Sequence, residues 1–110
     1  MYEFGSIVLV PFPFTDLTAS KVRPALIISK KNTESTDVIV CFITSKPVPS
    51  ASVSALLIQP TTTSGLKVVS FVRFDKIATV DCRIILGELG RIEPQALRKH
   101  RKKFVGVFGF

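Results

Sequence analysis

At 110 residues the chain has room for one packed domain, expected to span residues 1–110. Its hydrophobic content of 46% against 21% charged residues excludes a disordered chain, and no apolar stretch approaches membrane-spanning length. Fifteen Lys and Arg against 8 Asp and Glu leave a net charge of +7, which draws polyanions to a surface and serves equally as a solubility charge.

The β-branched run Ile7-Val8-Leu9-Val10 follows Gly5-Ser6 and predicts a first strand. Pro11 and Pro13 cannot donate to a central ladder, so this end is expected at an edge or a bulge, leading into the polar loop Thr15–Lys21. Pro24–Ser29 and Asp37–Thr44 are continuously apolar runs, as in strands covered on both faces. A fourth strand is expected from Val53 to Gln59, then a turn at Thr61–Gly65 and a fifth strand at Val68–Phe74. Lys76–Val80 and Ile84–Leu89 supply a sixth and a seventh. Pro94 suits the first turn of a helix, with Leu97, Phe104, Val105 and Phe108 on its apolar stripe. Short strands followed by a lone helix imply an all-β fold, a small barrel with a C-terminal α-helix closing one side.

Met1–Gly5 has no basic leader before an apolar stretch, so no secretory leader is expected. Cys41 and Cys82 make neither a disulfide framework nor a Cys-x-x-Cys pair, and His100 is the lone histidine. A reducing, cytoplasmic setting fits this usage, with no metal and no cofactor.

Four constellations bear chemistry. Arg23, stiffened by Pro24, opens one apolar run, and Thr44 with Ser45 closes the next. Antiparallel pairing of those runs puts a guanidinium and a hydroxyl on one rim of a sheet, a pair suited to gripping a phosphodiester. Each has a plainer role, Arg23 as a solvated strand start and Thr44-Ser45 as turn residues. Arg73 and Asp75 alternate onto one face. Such a pair meets the needs of cyclising RNA cleavage, with one group taking the 2′-hydroxyl proton and the other supporting the leaving 5′ oxygen, or else forms a surface ion pair of small consequence. The basic run Arg98–Lys103 contains no aromatic residues and is expected to be a solvated helix face.

Several of these stretches resemble the MazF/PemK toxins of type II toxin–antitoxin systems. The resemblance rests on Gly5–Val10, Arg23–Ser29, Ile43-Thr44-Ser45, Gly65-Leu66-Lys67, Ser70–Arg73, Asp75–Asp81 and Gly87–Gly90, in that order along nearly the whole chain. It implies an SH3-like (PemK-like) barrel forming a homodimer, with an acidic antitoxin protein as partner and no membrane association. It also implies metal-independent, sequence-selective cleavage of single-stranded mRNA to 2′,3′-cyclic phosphate and 5′-hydroxyl ends. Arg23 and Thr44 fall where the family keeps its catalytic arginine and threonine. Arg73 and Asp75 match an Arg-x-Asp pair given acid and base roles in one plasmid member. Ser45, Lys21 and Lys46 flank these positions and are expected to contact substrate. The chain departs from the family at Thr18–Lys21, where many members carry Gly with Glu or His, and at Pro11-Phe12-Pro13-Phe14. Small barrels host unrelated functions, so a CcdB-like gyrase poison and a non-catalytic module binding RNA or antitoxin are the competing expectations.

Overall fold

The computed structural model describes residues 2–12, 21–31, 34–48 and 53–110, and the side chains of Phe12 and Lys21 are outside that description. Among the described residues six strands form one antiparallel sheet: β1 (Ser6–Phe12), β2 (Lys21–Ile27), β3 (Asp37–Thr44), β4 (Ala55–Ile58), β5 (Ser70–Asp81) and β6 (Gly87–Arg91). Their order across the sheet is β4-β5-β3-β2-β1-β6. The sheet curls into a small open barrel, as expected, but two short helices follow it instead of one: α1 (Pro94–Arg98) and α2 (Arg101–Val105).

The continuous apolar runs are explained by burial on both sides. Ile7, Leu26 and Cys41 are cross-strand neighbours on one face, and Val8, Ala25 and Phe42 on the other. All six are buried. The first row joins Ile43, Ile58, Val72, Phe74 and Leu97 in one core cluster, and the second joins Val10, Ile27, Val38 and Val40 in another. Each fully buried side chain of this size contributes about 1.5–3 kcal/mol, so pairing register is fixed from both faces at once.

The prolines stand where a ladder stops. β6 pairs with β1 only along Ser6–Leu9, so Pro11 lies in a stretch with one neighbouring strand, opposite Val22. Pro24 is bonded across to β1 opposite Leu9, while pairing of β2 with β3 begins only at Ala25. Both residues lack the N–H that a second ladder would require.

The two strands expected at Val68–Phe74 and Lys76–Val80 are one bent strand, β5. Its partner β3 aligns Cys41 with Ile77 and Ile43 with Val72. Phe42 alone separates the pair on β3, whereas Arg73, Phe74, Asp75 and Lys76 separate it on β5. This bulge bends β5 between a first part that pairs with β4 on one side and β3 on the other, and a second part that pairs with β3. The strand expected at Ile84–Leu89 starts later, at Gly87, because Asp81 caps a 3-10 turn over Cys82–Ile84 by accepting from the Arg83 backbone N–H at 2.9 Å.

The edges β4 and β6 are joined by the Thr61–Gly65 turn. The Arg91 N–H donates to the Thr63 carbonyl at 2.8 Å. Ser64, 4% exposed, organises the turn: its Oγ donates to the Gln59 carbonyl at 2.9 Å and accepts from the Thr61 and Leu66 N–H groups at 3.0 and 3.3 Å. Gly65 has φ +70°, and a Cβ there would overlap the Leu89 carbonyl. A Cβ on Gly90 would overlap Thr63 in return, so turn and strand meet backbone to backbone.

The expected single helix breaks at Lys99-His100. His100, at φ −105° and ψ 16°, leaves the helical region. Six consecutive basic residues place like charges at i, i+3 and i, i+4 spacings, which removes the usual side-chain support for a longer helix. Leu97 is buried and Phe104 packs against the core, ring edge to Phe74 at 5.9 Å between centroids. Val105 and Phe108 do not share that stripe: they are exposed, and Val107 packs inward in their place. No helix among the described residues is long and apolar enough to cross a membrane.

Candidate functional site

Where Pro24 ends the β2–β3 ladder, the sheet opens into a concavity of about 450 Å³. The register that pairs Ala25 with Phe42 brings Arg23 level with Thr44 when continued by two residues. Both line the concavity, as do Ser45 and Lys46 just beyond β3. Arg73 enters from the β5 bulge, so the sequence-predicted Arg23, Thr44, Ser45, Lys46 and Arg73 are brought together on one surface. The side chain of Lys21 lies outside the described set.

Thr44 has a defined hydroxyl geometry. Its Oγ1 accepts from the Lys46 backbone N–H at 3.1 Å. A hydroxyl has one donor and two acceptor sites, so this turn bond occupies an acceptor and leaves the proton for an anion. The turn role and the binding role expected of Thr44 are therefore compatible.

Arg73 and Asp75 do share a face, and they hold each other. Arg73 Nε donates to Asp75 Oδ1 at 2.8 Å and Nη2 to Oδ2 at 2.6 Å. The hydrogen bond from Arg73 holds the Asp75 carboxyl below the usual carboxylate range, and Asp75 raises Arg73 further in turn. Arg73 lines the concavity while Asp75 stands behind it, outside the lining. Phe74, 2% exposed between the two, anchors the bulge that presents them.

Lys67 and Lys76 also line the concavity, and sequence reasoning did not single them out. Lys67 belongs to the stretch Gly65-Leu66-Lys67 and Lys76 directly follows Asp75, but a lone lysine in a turn or strand has the same pattern as a solvated one. Among the described residues lining the concavity there are five cations and no carboxylate. The basic run Arg98–Lys103 takes no part in it. That run lies on the helices, mostly exposed, with the Arg98 guanidinium 5.3 Å from the centre of the Phe4 ring. Among the described residues no group of three or more His, Cys, Asp or Glu is placed to hold a metal ion.

Residues 3–108 match the family model described as PemK-like, MazF-like toxin of type II toxin-antitoxin system. No curated protein matches the chain. Among solved structures, the fold is similar to an endoribonuclease in complex with its cognate antitoxin from a mycobacterial species, at TM-score 0.79 and 18% identity, covering 100% of this chain and 97% of that one. It is also similar to the Mycobacterium tuberculosis toxin MazF-mt6, at TM-score 0.75 and 19% identity, over 94% and 95% of the two chains. A MazE-MazF structure from Deinococcus radiodurans gives TM-score 0.72 and 21% identity over 99% and 97%.

Proposed function

The chain belongs to the PemK-like, MazF-like toxin family of type II toxin–antitoxin systems, whose members are generally endoribonucleases, and from that premise we propose that it cleaves single-stranded RNA by a metal-independent route. The observation that carries this reading is the meeting of Arg23, Thr44 and Arg73 on one cationic concavity. Arg23 grips the scissile phosphate and stabilises the charge that develops on it. The Thr44 hydroxyl donates to a phosphoryl oxygen, its acceptor side already used by Lys46. Ser45 and Lys46 stand beside it as substrate contacts.

The RNA 2′-hydroxyl loses its proton to the base and attacks phosphorus, a 2′,3′-cyclic phosphate forms, and the bond to the 5′ oxygen breaks; that oxygen takes a proton from water, and the base returns its own to solvent. Asp75 is the proposed base and Arg73 the support of the leaving oxygen. In the closed pair Asp75 is a weak base, because Arg73 occupies both its oxygens. The side chains are 31% and 35% exposed, and pairs this accessible contribute on the order of 1 kcal/mol or less. A phosphate drawing Arg73 into the concavity therefore frees Asp75 at small cost, and the carboxyl regains basicity at the moment it is needed. Asp75→Asn is expected to lower kcat by about 10²–10⁴. It should also remove the acid limb of the pH–rate profile, since a carboxylate acts as base only above its own pKa and an amide does not titrate. A profile unchanged in shape and height would remove Asp75 from the reaction.

The test of the reaction class is incubation of the purified protein with mixed-sequence RNA in excess chelator, followed by analysis of the ends. Cyclic phosphate and 5′-hydroxyl termini are expected. Cleavage that requires added metal contradicts the mechanism, and RNA binding without such ends assigns the concavity to a binding module.

The same premise extends to partners. The similar mycobacterial endoribonuclease was solved with its cognate antitoxin, and we infer an acidic antitoxin segment for this chain, attracted by the same positive field, together with a homodimer. Co-expression with a small acidic protein encoded beside it should relieve toxicity.

A further inference from the structure

We propose that Lys67 and Lys76 form a flanking-phosphate subsite, which fixes the RNA backbone beside the scissile group; the inference rests on the nuclease reading above. Charge balance is the first argument. Five cations line the concavity, and Asp75 neutralises one of them, Arg73. A single phosphodiester carries one negative charge, which Arg23 balances. Lys46, Lys67 and Lys76 are then left facing the same space, and none of them forms an ion pair among the described residues. Like charges brought together from the end of β3, a turn and the β5 bulge repel one another, and further anions along a single strand relieve that repulsion.

The construction of the Lys67 turn is the second argument. A lysine on a loosely held loop is a solvated charge. Lys67 follows a turn fixed by the buried Ser64 hub and by the backbone-to-backbone meeting of Gly65 with β6. Ser70 Oγ closes the other side by donating to the Val68 carbonyl at 3.0 Å. Leu66 and Val68, on either side of Lys67, also line the concavity. The turn thus offers apolar surface for a base next to a cation for its phosphate, the combination used to hold single strands. Lys76 ends the bulge that carries Arg73. A concavity of about 450 Å³ lies within the roughly 300–1,000 Å³ usual for ligand clefts and exceeds what one phosphate fills.

The experiment is a salt titration of binding to a short, fluorescently labelled 2′-O-methyl RNA of mixed sequence, which lacks the attacking hydroxyl and is not consumed. Wild type, Lys67→Ala, Lys76→Ala and the double variant are compared. Each lysine removed should flatten the slope of log affinity against log salt by about 0.7, and Lys67→Arg should restore it. Unfolding would not produce a stepwise change of slope, and both lysines are exposed. Superimposable slopes in all four proteins overturn the subsite. If those variants keep the wild-type slope but lose binding to poly-glutamate, the cations belong to an acidic protein partner and the subsite is likewise overturned. The nuclease reading fails separately, when wild type yields no cyclic-phosphate ends, whatever the slopes.

Discussion

Replacing Arg23 by Ala should lower kcat/KM for RNA cleavage by about 10²–10³, the usual loss when one preorganised donor to a developing oxyanion is removed. The fold should be unaffected within about 0.5 kcal/mol. Arg23 lies on the stretch of β2 that has left the β3 ladder, and it belongs to neither core cluster. Arg23→Lys should recover only part of the loss, because an ammonium keeps the charge but not the planar fork that meets two phosphate oxygens. Steady-state kinetics and a thermal melt on the same samples separate the two quantities. Full activity in Arg23→Ala would detach the concavity from the chemistry.

The largest loss of stability is expected from Phe74→Ala, about 3–5 kcal/mol. Phe74 is 2% exposed, stands edge to face against Phe104, and its backbone N–H donates to the Ser54 carbonyl at 2.8 Å. In a domain of this size such a loss lowers Tm by on the order of 15 °C or more. A second consequence follows from its place between Arg73 and Asp75. The ring anchors the bulge, so its removal should reduce cleavage even at temperatures where the variant is folded. A melt shifted by less than about 1 kcal/mol would mean that the bulge is held by other contacts.

The parts of the fold legible in the sequence are those that a local rule controls. Two apolar runs, with Arg23-Pro24 opening one and Thr44-Ser45 closing the other, put both groups on one rim on the condition of antiparallel pairing, which β2 and β3 meet. Pro11 marked the end of a ladder because proline has no donor to offer. Alternation placed Arg73 and Asp75 on one face, where they form a bidentate pair. The bulge that carries them was not legible. No glycine or proline marks Arg73–Lys76, and the extra residues are defined only against Phe42 on the neighbouring strand, so the sequence read as two strands where there is one. The helix break at His100 was hidden for a related reason. The apolar spacing from Leu97 to Phe104 suits a continuous helix, and the repulsion that opposes it is spread over the whole basic run. Lys67 was missed because its significance comes from Ser64 and Gly65 locking a turn against β6, a contact between distant segments.

The role of Asp75 also changes once the side chains are in view. A neighbouring acid and base suggested two groups working side by side. The geometry instead has Arg73 donating to both oxygens of Asp75, and in the mechanism we propose substrate competes for that guanidinium. Cys41 feels the same carboxylate: burial first, and the charge of Asp75 second, push its thiol up to about 12. At neutral pH it is a packed, protonated core residue, far from the range of a nucleophilic thiolate.

The central claim is that Arg23 and Thr44 act on one phosphate, and a double-mutant cycle tests it most directly. Arg23→Ala, Thr44→Val and the combined variant would be compared by single-turnover cleavage of one RNA. Groups sharing a transition state lose their effects non-additively, so the combined variant should be little slower than Arg23→Ala alone, with a coupling of about 1 kcal/mol or more. Two losses that multiply fully, with no coupling, would place the guanidinium and the hydroxyl on separate tasks and contradict the account.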